Sequence, residues 1–325
     1  MPQSVANRGV AVRVMVTGGE GQLGRDLRSV LGGQAPTGGD PGSDVMRALG
    51  MPPAAAEVLS TDVVVGTGIR LDITDREQVD EVVDGFRPEL VIHAGACTAV
   101  DTCETTPDLA FAVNALGSRH VAEASARVGA HLVYLSTDYV FDGTLDRSYT
   151  EWDAPGPVSV YGLSKLGGEL EVQTIMGRSA TVVRTAWVNG VNGSNMAKTV
   201  LGLARRDPSV PLRFVDDQLG SPTFTADLAP AVVRLGLDRR PGVFHVTNQG
   251  ETTWFGFARA VLELAGMDPD RVGPITTAQL DPPRLAPRPA NSRLENLAMK
   301  LSGMPLLPGW RDGLARLVAV LDHSG

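Results

Sequence analysis

Arg13-Val14-Met15-Val16-Thr17-Gly18-Gly19-Glu20-Gly21-Gln22-Leu23-Gly24 decides the fold. A short β-branched run meets a glycine cluster, and Leu23, Leu27, Val30 and Leu31 then recur at helical spacing. A buried strand, a tight turn and a helix are predicted, the context in which a glycine motif binds a dinucleotide. Gly18 permits the turn, Gly21 lets backbone approach a pyrophosphate, and Gly24 allows close helix–strand packing. The helix N-terminus would offer free N–H groups to the phosphates.

The same alternation continues along the chain. Glu89–Gly95, His131–Ser136 and Ala180–Arg184 read as strands, with helical stretches over Arg76–Phe86, Leu109–Val128 and Tyr161–Ile175 between them. Thr74 is the expected cap of the first of these helices. Asp62-Val63-Val64-Val65 reads as the second strand. The fold class is α/β: a doubly wound, parallel, Rossmann-type sheet with a smaller C-terminal substrate-binding lobe. The expected division is 1–190 for the dinucleotide-binding domain, with 226–248 returning to it, and 191–325 mainly for the lobe. Residues 34–56 hold repeated Gly and Pro and no clear period, and read as a surface loop.

Tyr161 and Lys165 stand four residues apart on a helix, so phenol and ammonium can face one small volume. A nearby cation lowers a phenol's pKa, which suggests proton transfer to a carbonyl during hydride transfer. Thr137, at a strand end, can donate to the same oxygen, and Trp187 can stack on a sugar face. His93 lies within an apolar strand and reads as a core residue. The run Val63-Val64-Val65 ends in Gly66-Thr67-Gly68 with no carboxylate, so NADPH is expected to serve at least as well as NADH. Asp72 is the next candidate to contact the cofactor ribose or adenine; as a carboxylate at a helix start it reads equally well.

The chain has 325 residues, 43% hydrophobic and 20% charged, which suits a sizeable core. A net charge of −8 argues against nucleic acid and anionic membranes as partners. No apolar run approaches a membrane span and no signal peptide is visible, so a cytoplasmic protein is expected. Cys97 and Cys103 have no nearby Cys/His cluster and read as core or loop thiols.

Beyond these motifs, Leu71-Asp72-Ile73-Thr74-Asp75, Ser136-Thr137-Asp138-Tyr139-Val140-Phe141-Asp142, Tyr161 to Glu169, Arg184-Thr185-Ala186-Trp187, Asp216 to Thr223 and Arg288 to Leu294 resemble the dTDP-4-dehydrorhamnose reductase family. That family lies in the extended short-chain dehydrogenase/reductase superfamily. The likeness runs from about Val12 to the end of the chain. It implies reduction of the 4-keto group of dTDP-4-dehydro-L-rhamnose by NADPH or NADH. It implies Tyr161 as proton donor, Lys165 on the nicotinamide ribose and lowering the Tyr pKa, and Thr137 completing the hydroxyl network. Asp138 would touch the dTDP-sugar and Trp187 would pack on the deoxyhexose. Gly18, Gly21, Gln22, Leu23, Gly24, Asp72, Ile73, Ala96, Cys97 and Thr98 would line the cofactor. Cys97 stands where His or Tyr is more usual, and the 32–61 segment is long for the family. Some relatives carry magnesium at a homodimer interface; only Asp26 matches that pattern, so metal and dimer stay open. A reductase or epimerase of another nucleotide sugar, and a non-catalytic NADP-binding regulatory subunit, remain as alternatives.

Overall fold

The computed structural model describes residues 12–33, 56–64, 66–207 and 209–323. Seven parallel strands form the central sheet: β1 (Val12–Thr17), β2 (Ala56–Asp62), β3 (Ile69–Arg70), β4 (Leu90–His93), β5 (His131–Thr137), β6 (Ala180–Thr185) and β7 (Gly242–His245). Their order is β7-β6-β5-β4-β1-β2-β3. The sheet begins at β1, builds outward to β3, then returns to β1's other side and builds the opposite way. The reversal between β1 and β4 opens a crevice at the carboxyl ends of the strands, where open α/β sheets take ligands.

Alternation along each strand feeds two cores. Val14 and Val16 of β1 point to the face covered by Leu27, Val30 and Leu31 of α1 (Gln22–Leu31). Leu228, Val232 and Leu235 of α6 (Thr225–Leu237) complete that layer. Met15 points the other way, to Val79 and Val83 of α2 (Arg76–Phe86) and Val121 of α3 (Ser118–Val128). Val172 of α4 (Val160–Met176) closes the same layer against Leu132 and Tyr134. Period-two burial on both faces is what a fully covered parallel sheet requires.

A third core belongs to the smaller lobe. Val200 and Leu201 of α5 (Met196–Arg206), Phe257 and Val261 of α7 (Trp254–Leu264), and Leu314 and Leu317 of α8 (Trp310–His323) pack together there. The parallel pair Leu212–Val215 and Val272–Ile275 flanks them.

Three expectations need correction. The second strand is Ala56–Asp62, not Asp62–Val65. Its residues Val14↔Val58 to Thr17↔Thr61 are in register with β1, while Val63 and Val64 lie outside the strand and are exposed. The cap of α2 is Asp75, whose carboxylate accepts from Gln78 N at 3.1 Å, and not Thr74. The stretch from Leu109 to Val128 is not one regular helix, because a π-turn over Ala112–Gly117 interrupts it. The proposed surface loop at 34–56 lies outside the described residues except Ala56, which opens β2.

Candidate active site

A cavity of about 890 Å³ opens over the carboxyl ends of β1, β4, β5 and β6. The residues expected to serve catalysis, cofactor or substrate all line it: Gly18, Gly21, Gln22, Leu23, Gly24, Asp72, Ile73, Ala96, Cys97, Thr98, Thr137, Asp138, Tyr161, Lys165 and Trp187.

One end is built from the glycine turn. Gly18 adopts φ +68°, and a Cβ there would fall 2.6 Å from Gly95 N. A Cβ on Gly24 would collide with the carbonyl of Gly18, so α1 can cross β1 this closely only without a side chain. Gly21 differs: its Cβ would meet only Gly18 O, at 3.1 Å. Gly21 is also the N-cap of α1 and contributes no capping side chain. The first N–H groups of a ten-residue helix therefore face the cavity with the positive end of its dipole. This cradle fits the pyrophosphate of a dinucleotide.

The adenosine side departs from the sequence reading. Asp62, the last residue of β2, puts a carboxylate where none was expected. Its Oδ2 accepts from Glu20 N at 3.0 Å and its Oδ1 from Val64 N at 3.1 Å. Glu20 in turn pairs with Arg28 at 2.5 Å and Arg25 at 3.2 Å. Asp72 lies between the cavity and the start of α2. It lines the cavity, and its Oδ1 accepts from the Thr74 hydroxyl at 2.7 Å in the turn that leads to α2.

The reacting end is set by α4. Its N-cap Ser159 accepts from Gly162 N at 3.2 Å, which fixes the helix start two residues before Tyr161. The Thr137 hydroxyl stands beside the Tyr161 phenol, where it favours the ionised form. Thr137 also donates to Asp138 Oδ1 at 3.0 Å. Burial pushes the Tyr161 phenol above its ordinary pKa, and Asp138, Tyr139 and Cys103 add to this against the neighbouring Thr137 hydroxyl. The expected lowering of that pKa by Lys165 does not prevail. Burial prevails, and the phenol is held in the protonated form that a proton donor needs.

Lys165 is 3% exposed and its Nζ stands 4.1 Å from the centre of the Tyr134 ring. Burial pushes its ammonium down to about 7, with Glu169 opposing. Burial likewise raises Asp138 to about 6. His93 is a buried core residue, its ring nitrogens 2.6 Å from Thr17 Oγ1 and 3.1 Å from Ser118 Oγ. Burial drives it down to about 3, so it is neutral.

Four residues that sequence reasoning did not find complete the site. Asn114, from the π-turn, accepts from Cys97 N at 2.8 Å and donates to Cys97 O at 3.0 Å and to Ser164 Oγ at 2.9 Å. It thereby ties the loop after β4 to the helix of Tyr161. Tyr134 roofs Lys165. Asp62 was hidden by the strand boundary. Trp254 stacks on Trp187 with ring centres 3.4 Å apart and planes 4° apart. Trp187 itself is held at φ 45°, which is costly for a bulky residue. The chain has only four tryptophans, a scarcity that was the one available pointer to Trp254. Among the described residues, no group of three or more His, Cys, Asp or Glu side chains could hold a metal.

A phosphate-cradling helix start and a buried Tyr/Lys pair at opposite ends of one crevice define a dinucleotide-dependent oxidoreductase of the extended short-chain dehydrogenase/reductase type. The comparisons narrow this. The chain belongs to the family described as the RmlD substrate binding domain, whose model matches residues 12–323. It is 39% identical over 307 residues to a dTDP-4-dehydrorhamnose reductase of Streptomyces griseus, covering 93% of this chain and 91% of that one. It is 36% identical over 310 residues to a dTDP-4-keto-6-deoxy-D-glucose reductase of Streptomyces niveus, covering 95% and 98%. A crystal structure of dTDP-4-dehydrorhamnose reductase from Bacillus anthracis in complex with NADP superposes with a TM-score of 0.83 at 35% identity, covering 95% and 99%.

Proposed function

We propose that the protein reduces the 4-keto group of dTDP-4-dehydro-L-rhamnose to give dTDP-L-rhamnose, with NADPH as the reductant. The observation that carries this reading is Tyr161, protonated and grouped with Thr137 and Lys165 in the same cavity as the open N-terminus of α1. Bound NADPH would supply the hydride. Tyr161 Oη would donate its proton to the carbonyl oxygen as negative charge develops there. Thr137 would steady the phenol. Lys165, released from a dry pocket by a polar partner, would hold the nicotinamide ribose through its ammonium. Gln22, Leu23 and the glycines would hold the pyrophosphate, and Asp72, Ile73, Ala96, Cys97 and Thr98 would form the walls. Asp138 would receive a sugar hydroxyl, and the Trp187 edge that borders the cavity would pack on the deoxyhexose.

No helix among the described residues is long and apolar enough to cross a membrane. We place the reaction in the cytoplasm, with the dTDP-sugar as the protein's partner and no nucleic acid; a homodimer is compatible with this reading.

The test is NADPH oxidation with dTDP-4-dehydro-L-rhamnose, followed by NMR of the product sugar. Turnover giving the rhamno product is expected. No oxidation would sink the reading and leave a binding protein. The Streptomyces niveus relative favours a second reading, a reductase of another dTDP-4-keto sugar, and product stereochemistry separates the two.

A further inference from the structure

The chain's only two cysteines, Cys97 and Cys103, meet at one wall of the cavity with their sulfurs 3.6 Å apart. Cys97 is half-buried and lines the cavity. Cys103 is fully buried one turn into the short helix Val100–Thr105. A thiol pair six residues apart has no need to converge for packing, since either would fill its own space as a small hydrophobe. Here one member is open to small molecules entering the cavity and the other stands directly behind it.

We propose that Cys97 and Cys103 form a reversible dithiol/disulfide site through which a peroxide shuts the reductase down. The chemistry balances with hydrogen peroxide as oxidant. The Cys97 thiolate attacks one peroxide oxygen, the O–O bond breaks, and a sulfenic acid forms as hydroxide leaves and takes up the proton lost by the thiol. The Cys103 sulfur then attacks Cys97 Sγ, the S–O bond breaks and a second water leaves with the Cys103 proton. Two thiols lose two electrons, and one peroxide becomes two waters. Burial raises the Cys103 thiol to about 12, so Cys103 is a poor first nucleophile and Cys97, which the oxidant can reach, begins the sequence.

Closure must draw the sulfurs about 1.5 Å nearer, to the S–S bond length of about 2.05 Å. The backbone there has little freedom. Cys97 N and O are both held by Asn114, Asn114 holds Ser164, and the Ser164 hydroxyl donates to Tyr161 O at 2.9 Å. Cys103 is also close enough to Tyr161 to raise its pKa. A shift of either sulfur therefore bears on the cavity wall and on the helix that carries the phenol. A bound cofactor would cover Cys97 and slow the first step.

The activity part of the proposal rests on the reductase reading; the disulfide itself does not. The experiment treats the full-length protein with hydrogen peroxide, with and without NADP, then blocks free thiols with N-ethylmaleimide. Digestion before Asp101, which lies between the two cysteines, gives two peptides. We expect them to be joined after oxidation, more slowly with NADP present. Turnover should fall at least tenfold and return with dithiothreitol. Cys103→Ser and Cys103→Ala should keep most of their turnover after the same peroxide treatment, before any dithiothreitol, and should yield no joined peptides. Both thiols remaining alkylatable, or a joined pair with turnover unchanged, would overturn the proposal. So would an equal, dithiothreitol-reversible loss in Cys103→Ala, since Cys97 alone would then account for the sensitivity.

Discussion

Lys165 holds its ammonium 4.1 Å above the ring of Tyr134, in a pocket dry enough to bring its pKa down to about 7. The unfolded chain keeps that proton up to the ordinary lysine range. Between these limits the unfolded state binds more protons, so this group makes the fold more stable as pH rises from about 7 towards 10.5, and its cost is fully present below 7. Lys165→Met removes the cost. Without cofactor, the variant should melt a few degrees above the parent at pH 6, with the gap closing by pH 10, while its affinity for NADPH falls. Thermal melts across pH check this; a lower melting point at pH 6 would mean that Tyr134 and Glu169 already offset the burial.

Tyr161→Phe keeps the ring and loses the proton that the carbonyl oxygen needs. Turnover should fall by about two to four orders of magnitude. NADPH binding, followed by fluorescence titration, should stay within a few-fold of the parent. Retention of most of the turnover would remove Tyr161 from the chemistry.

Asp62 stands at the position where a carboxylate takes the ribose diol of NADH and opposes a 2′-phosphate. Two backbone N–H groups already occupy it, and Arg25 and Arg28 lie close by through Glu20. Asp62→Asn keeps the shape and removes the charge. The ratio of kcat/KM for NADPH over NADH should rise about tenfold, the worth of roughly 1.4 kcal/mol. An unchanged ratio would place the ribose elsewhere.

Glu169 and Arg184 form a buried, two-pronged ion pair at 2.8 and 2.6 Å, and the Ser136 hydroxyl donates to the same carboxylate at 2.5 Å. Glu169→Ala leaves a guanidinium with no counter-charge, which costs about 3–5 kcal/mol. The urea midpoint should fall accordingly. A loss below about 1 kcal/mol would mean that water enters and solvates Arg184.

The parts of the site visible in the sequence were those whose spacing is itself the geometry. A glycine run between strand and helix, and a Tyr and Lys four apart, carry their own arrangement. The second strand misled because β-branched Val63 and Val64 outweigh Ala56-Glu57-Val58 in strand propensity, yet pairing with β1 decides the matter and leaves the valines exposed. That one slip hid Asp62. Asn114 and Trp254 stayed hidden because their partners, Cys97 and Trp187, are 17 and 67 positions away, and no local pattern reports such contacts. The effect of burial on Tyr161 was also out of reach, since it depends on what lies over the ring rather than on what neighbours it in the chain.

Tyr161, Lys165 and Glu169 recur every four residues along one side of α4, so phenol, ammonium and core anchor share a single rigid rod. Such a site has no partial states. Sliding or fraying of α4 would misplace all three together, and no loop movement could repair one without the others. Loss of activity under mild denaturant should then coincide with loss of amide protection in this helix rather than precede it. The reductase would fail as a switch fails, with a full complement of working molecules dwindling in number instead of a population growing uniformly slower.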